Sequence, residues 1–165
     1  MLMTGLIKKI INAANLRTTY RIGLLQTKAY RILKQHTAET LSPYGISTIE
    51  WAFLGLLHDA PEGMRSKAAA DEIGVEAPFI TAMVASLRKK DLVLEGQDKK
   101  DSRAKNLSLT EKGHEFVIAT EKILKESVRG IMKGIGAGDI VSYLAVLKQM
   151  VDNGGFKKPS SKFDI

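Results

Sequence analysis

The stretch 66–109 leaves a chain like this few folds to choose from. Ser66 caps a short helical run that reaches 71–73, and Gly74 is placed to stop it in the left-handed conformation. After Val75-Glu76-Ala77, Pro78 suits the first position of a second helix, where its missing N–H costs nothing. That helix is predicted to reach residue 90, with Ile80, Met83, Val84 and Leu87 on a single apolar face. Two helices joined by a tight glycine-containing turn make a helix-turn-helix. Leu92-Val93-Leu94-Glu95 and Lys105-Asn106-Leu107-Ser108-Leu109 then read as strands on either side of the charged run 96–103. A hairpin with a long polar tip, directly after a helix-turn-helix, is a wing.

The flanks are helical. Leu6, Ile7, Ile10, Ile11 and Ala14 recur at helical spacing, which makes 1–16 an amphipathic N-terminal extension. A longer helix is predicted over about 17–37, with Ile22, Leu25, Ala29, Ile32 and Leu33 on one face and Arg17, Arg21, Lys28 and Arg31 on another. Ser42-Pro43-Tyr44-Gly45 reads as a turn. Ser47 with Glu50 three residues on has the capping-box pattern, opening a helix over 48–58. Thr110 caps a helix to about 133, Gly130, Gly134, Gly136 and Gly138 break it, and a last helix covers about 139–151. The tail 153–165 is expected to be flexible. The fold class is thus mainly α with a small β-hairpin wing.

Composition narrows the functions. The chain has 165 residues and no cysteine, which excludes disulfides, thiolate zinc sites and cysteine nucleophiles. No apolar run approaches the ~18 residues of a bilayer span, and no secretory cleavage pattern is seen, so a cytoplasmic chain without membrane contact is expected. The net charge of +7 brings polyanions into consideration. Its distribution matters more: residues 1–36 hold seven basic groups and no acid, whereas 66–114 holds nine basic and eight acidic groups. Global charge is therefore a weak argument for nucleic acid. His36, His58 and His114 are scattered, and none pairs with a carboxylate at metal-ligand spacing on an evident shared face, so neither a metal site nor a cofactor is expected. No nucleophile–base–acid constellation or phosphate loop is evident, and an enzyme is not expected.

In order and spacing, Ala70-Asp71-Glu72-Ile73-Gly74-Val75, Leu87-Arg88-Lys89-Lys90-Asp91-Leu92-Val93, Asp101-Ser102-Arg103 and Leu109-Thr110-Glu111-Lys112-Gly113 resemble the MarR family of winged-helix regulators. The resemblance covers about residues 15–152. It implies a homodimer whose first and last helices interleave (about 17–37 and 110–152), flanking a winged helix at about 48–109. It also implies double-stranded DNA with a pseudo-palindromic operator as partner, and a small-molecule pocket between the dimerisation and DNA-binding layers.

On that reading Phe79, Thr81, Ala82, Ser86 and Lys89 form the DNA-facing side of the recognition helix, short on the long donors that read guanine. Ser66 and Lys67 open the preceding helix, where backbone N–H groups favour a phosphate. Arg103 at the wing tip suits a minor groove, Asp101 is placed to hold it, and Lys99, Lys100 and Lys105 suit phosphates. Arg21, Tyr30, His36 and Trp51 are the candidates for holding a small anionic aromatic effector. The expected function is an effector-released repressor. Its rivals are a constitutive DNA-binding protein and a winged-helix protein-interaction module, the latter favoured by the bare Ala82/Ala85/Ser86 face.

Overall fold

A computed structural model describes residues 18–97 and 105–155. The amphipathic extension 1–16, the wing-tip residues Lys99, Lys100, Asp101 and Arg103, and most of the tail expected to be flexible lie outside the described residues.

Among the described residues the elements run α1 (Thr18–Leu41), a 3-10 turn (Ser42–Tyr44), α2 (Thr48–His58), β1 (Met64–Arg65), α3 (Ser66–Ile73), α4 (Ala77–Lys89), β2 (Val93–Gln97), β3 (Lys105–Leu109), α5 (Glu111–Val128) and α6 (Ala137–Gly154). Local chemistry accounts for most boundaries. Ser47 and Glu50 close the capping box at α2, each satisfying the other's backbone N–H. Gly74 ends α3 with φ of 79°, a left-handed conformation that a Cβ would disfavour.

Several boundaries move. α1 continues to Leu41 rather than 37, because Leu41 is wholly buried in the core and draws the helix in with it. Ser66 is the first residue of α3 and not its cap, a position that Arg65 takes with extended backbone. Pro78 is the second helical residue of α4 and not the first; both are free of an intrahelical N–H obligation. α5 ends at Val128, not near 133, and α6 spans Ala137–Gly154.

The sheet has three antiparallel strands in the order β1-β3-β2. β1 pairs Met64 with Leu107 and Arg65 with Asn106, closing the base of the wing against the start of α3. β2 and β3 pair from Val93↔Leu109 to Gln97↔Lys105. One apolar core joins α2, α3, α4 and the wing, through Phe53, Leu54, Leu57, Ile80, Leu87 and Leu107, with Val117 and Leu124 brought in from α5. Ile80, Met83, Val84 and Leu87 are all buried, so the apolar stripe of α4 is its inner face.

The wing-to-α5 junction is tightly built. Thr110 accepts the Gly113 N–H at 2.8 Å and donates its own hydroxyl to the Asp91 carbonyl at 2.8 Å. Lys112 Nζ reaches the Lys90 carbonyl at 2.8 Å. Gly113 lies so close to the Leu92 carbonyl that no side chain fits there. The Thr-Glu-Lys-Gly run is therefore a hinge-pin between the winged helix and α5.

Candidate nucleic-acid interface and effector cavity

α4 presents its outer face away from the core. Phe79 is 47% exposed, and Thr81, Ala82 and Lys89 are exposed with it. Lys67 is exposed in the first turn of α3, next to half-buried Ser66. These residues lie on the surface and outside the packing.

Three assigned donors are already engaged. Ser86 is half-buried, and its hydroxyl donates to Glu50 Oε1 at 2.9 Å. Ser86 therefore pins α4 to α2 instead of standing free for a base or phosphate, a correction to the sequence reading. The Thr81 hydroxyl turns back on the Ala77 carbonyl at 3.2 Å, leaving its methyl and an oxygen lone pair outward. On the wing, Lys105 Nζ pairs with Glu95 Oε1 at 2.8 Å; the lysine side chain is 63% exposed and the glutamate 22%. Lys105 is accessible to a phosphate but reaches it only in competition with Glu95.

The carboxylate of Glu50 is held down by its hydrogen bonds. Burial disfavours its charged form. Hydrogen bonds from the backbone N–H and hydroxyl of Ser47 and from Ser86, with the nearby charge of Lys90, outweigh that and hold it below the usual 4.5.

A cavity of about 600 Å³ opens between α2 and α5, lined by Trp51, Gly55, His58, Val117, Lys122 and Lys125, with the carboxylates Asp59 and Glu121 also on its walls. The Trp51 indole N–H donates to Thr120 Oγ1 at 3.1 Å, and the Thr120 hydroxyl donates on to the Phe116 carbonyl at 2.7 Å. That chain fixes the indole as a rigid wall. Of the four residues assigned to an effector, only Trp51 lines this cavity. Arg21 and Tyr30 are exposed on α1, where Arg21 bonds Tyr20 and Lys34 lies over the Tyr30 ring, and half-buried His36 belongs to the same helix. The reason is geometric: the wall facing Trp51 comes from α5 rather than from α1. Lys122 and Lys125 were missed because only the α2–α5 packing brings them opposite Trp51.

Together these features define a winged helix-turn-helix chain with a cavity between α2 and α5. No family model matches the sequence. Solved structures resemble it closely in fold. A MarR-family transcriptional regulator from Rhodococcus sp. RHA1 superposes with a TM-score of 0.70 at 20% identity, over 83% of this chain and 96% of that one. S. aureus MepR in its DNA-binding conformation gives 0.70 at 22% identity, over 80% and 97%. CouR from Rhodococcus jostii RHA1, bound to p-coumaroyl-CoA, gives 0.68 at 20% identity, over 79% and 90%. The fold is the MarR-type winged helix. No described helix is long and apolar enough to cross a membrane.

Proposed function

We propose that this chain is a homodimeric, sequence-specific DNA-binding transcriptional regulator of the MarR family, acting as a repressor that a small anionic aromatic ligand releases. The observation that carries the reading is the outer face of α4. Phe79, Ala82 and Lys89 stand clear of the core on a helix whose other face is wholly buried, directly before the wing. Phe79 and Ala82 suit thymine methyls, Lys89 a guanine edge, and Ser66, Lys67 and Lys105 the phosphates. Arg103, two residues after Asp101 in the sequence, extends the proposed footprint to the minor groove, with Lys99 and Lys100 for phosphates.

The effector reading rests on the α2–α5 cavity. Trp51 offers an aromatic wall, and Lys125 is already paired along its helix with Glu121 at 3.2 Å, leaving Lys122 to meet an anion. One structural neighbour holds an aromatic acyl thioester, which supports this ligand class. A ligand that prefers one spacing of the two α4 helices shifts the dimer away from operator geometry.

The test is a fluorescence-anisotropy titration with the DNA upstream of the chain's own gene, against a random duplex, at several salt concentrations. Preference for the native duplex with a steep negative salt slope is expected. Arg103→Ala lowers that affinity and leaves the dimer folded. Equal binding to both duplexes, or none, transfers the assignment to a protein-interaction module. Trp51, the sole tryptophan, reports the effector: phenolic acids quench its emission and release the DNA.

A further inference from the structure

The sequence reading kept His58 and His114 apart; the fold brings them together. His58 is the last residue of α2 and His114 lies in the first turn of α5, yet their Nδ1 atoms stand 3.1 Å apart. The ring centroids are 5.2 Å apart and the planes are tilted by 58°, so the rings meet through their nitrogens and are not stacked. Both side chains are half-buried.

We propose that His58 and His114 form a binding site for a borderline first-row divalent cation, zinc or nickel. Two imidazole nitrogens on one zinc, each about 2.0–2.1 Å from it, stand about 2.9–3.4 Å apart for bond angles from 90° to tetrahedral. The observed separation lies inside that window. Imidazole nitrogen is a preferred ligand for these ions. With no metal, one neutral ring donates its Nδ1–H to the bare Nδ1 of the other; a cation takes the place of that proton, and the displaced hydrogen moves to Nε2.

The pair is held ready by its supports. The His114 N–H donates to the Thr110 carbonyl at 3.0 Å, one residue from the point where Gly113 abuts the Leu92 carbonyl. His58 sits at the C-terminus of α2, whose opposite end is locked by the capping box. Both ligands thus stand on rigid helix ends and not on loops. Among the described residues no third histidine, cysteine or carboxylate completes the set. The remaining positions fall to water or to an oxygen ligand arriving through the cavity that His58 also lines. A cation here clamps the winged helix to α5. The site stands independently of the DNA-binding reading, because it is defined by metal binding to the isolated chain.

The experiment is a calorimetric titration of the full chain, stripped with chelator, with zinc chloride. It is run on wild type, His58→Asn, His114→Asn and, as a control, His36→Asn. One zinc per chain in the micromolar range is expected, weakened about tenfold or more in the first two variants and unchanged in the control. Absence of micromolar binding in the wild type, or equal binding in all four proteins, overturns the site. Should either variant fail to fold, imidazole nitrogen spectra of the wild type decide. Zinc is expected to shift the Nδ1 resonances of two histidines and leave the third; a shift of His36 alone, or of none, overturns the proposal. Failure here leaves the operator titration unaffected, and failure of the operator titration leaves the zinc isotherm unaffected.

Discussion

Ser86 on α4 donates its hydroxyl to Glu50 Oε1 at 2.9 Å, while the second oxygen of the same carboxylate takes the backbone N–H and hydroxyl of Ser47, each at 2.8 Å. One side chain therefore caps α2 and sets how α4 lies across it. The carboxylate that starts one helix orients the other.

Replacing Glu50 by Gln removes one acceptor oxygen from this arrangement, at a cost of about 1 kcal/mol near neutral pH. The loss depends on pH. The folded-state value of Glu50 lies below its ordinary 4.5, so its contribution is complete above that value and disappears as pH falls through the folded one. Urea denaturation at neutral pH and at successively lower pH below 4.5 is expected to show the gap between wild type and Glu50→Gln narrowing in acid. A gap of constant size would sever the carboxylate's charge from the clamp.

Gly113 has no room for a methyl group, since a Cβ there meets the Leu92 carbonyl. Gly113→Ala is expected to destabilise the chain by about 1–3 kcal/mol through overpacking, seen as a lowered Tm. Gly23, which has open space around it, serves as the control: Gly23→Ala is expected to leave Tm unchanged or raise it.

These two sites also mark what a linear reading reaches. The capping box at Ser47–Glu50 and the stop at Gly74 are legible because cause and effect lie within four residues. The buried stripe of α4 is legible because Ile80, Met83, Val84 and Leu87 repeat at helical spacing. β1 escapes notice because two residues carry no period, and Met64 is a strand only through its pairing with Leu107. Ser86 was misassigned for the same reason: Glu50, 36 positions away, decides its direction. The cavity behaves likewise, since Trp51 was recognisable while Lys122 acquires its place only from the packing of α5 on α2.

α6 makes no extensive contact with any other described element, and it carries Val141 at 66% exposure and Leu144 at 58%, with Tyr143, Val146 and Val151 also exposed. α1 adds Leu25 at 67%. So much exposed apolar surface is the mark of a protein interface. Under the proposed homodimer, sedimentation equilibrium gives twice the chain mass. Combining Val141→Lys with Leu144→Lys yields a monomer of unchanged helicity that has lost operator affinity, because a half-site alone binds far more weakly. A wild-type monomer would remove the dimer from the reading.

The pair between Lys105 and Glu95 separates a wing that touches DNA from one that does not. In water this ion pair contributes about 0–1 kcal/mol, so breaking it leaves the fold intact. Near a phosphate the balance differs, because Glu95 both occupies Lys105 and repels the backbone. Glu95→Gln is expected to tighten binding to operator and random duplex alike, and to steepen the salt slope by roughly one counterion. Lys105→Ala should do the reverse, with a slope shallower by about 1 and sequence preference retained, since a phosphate contact positions without specifying. Identical slopes in all three proteins would place the paired strands of the wing away from DNA and confine the interface to α3, α4 and the tip.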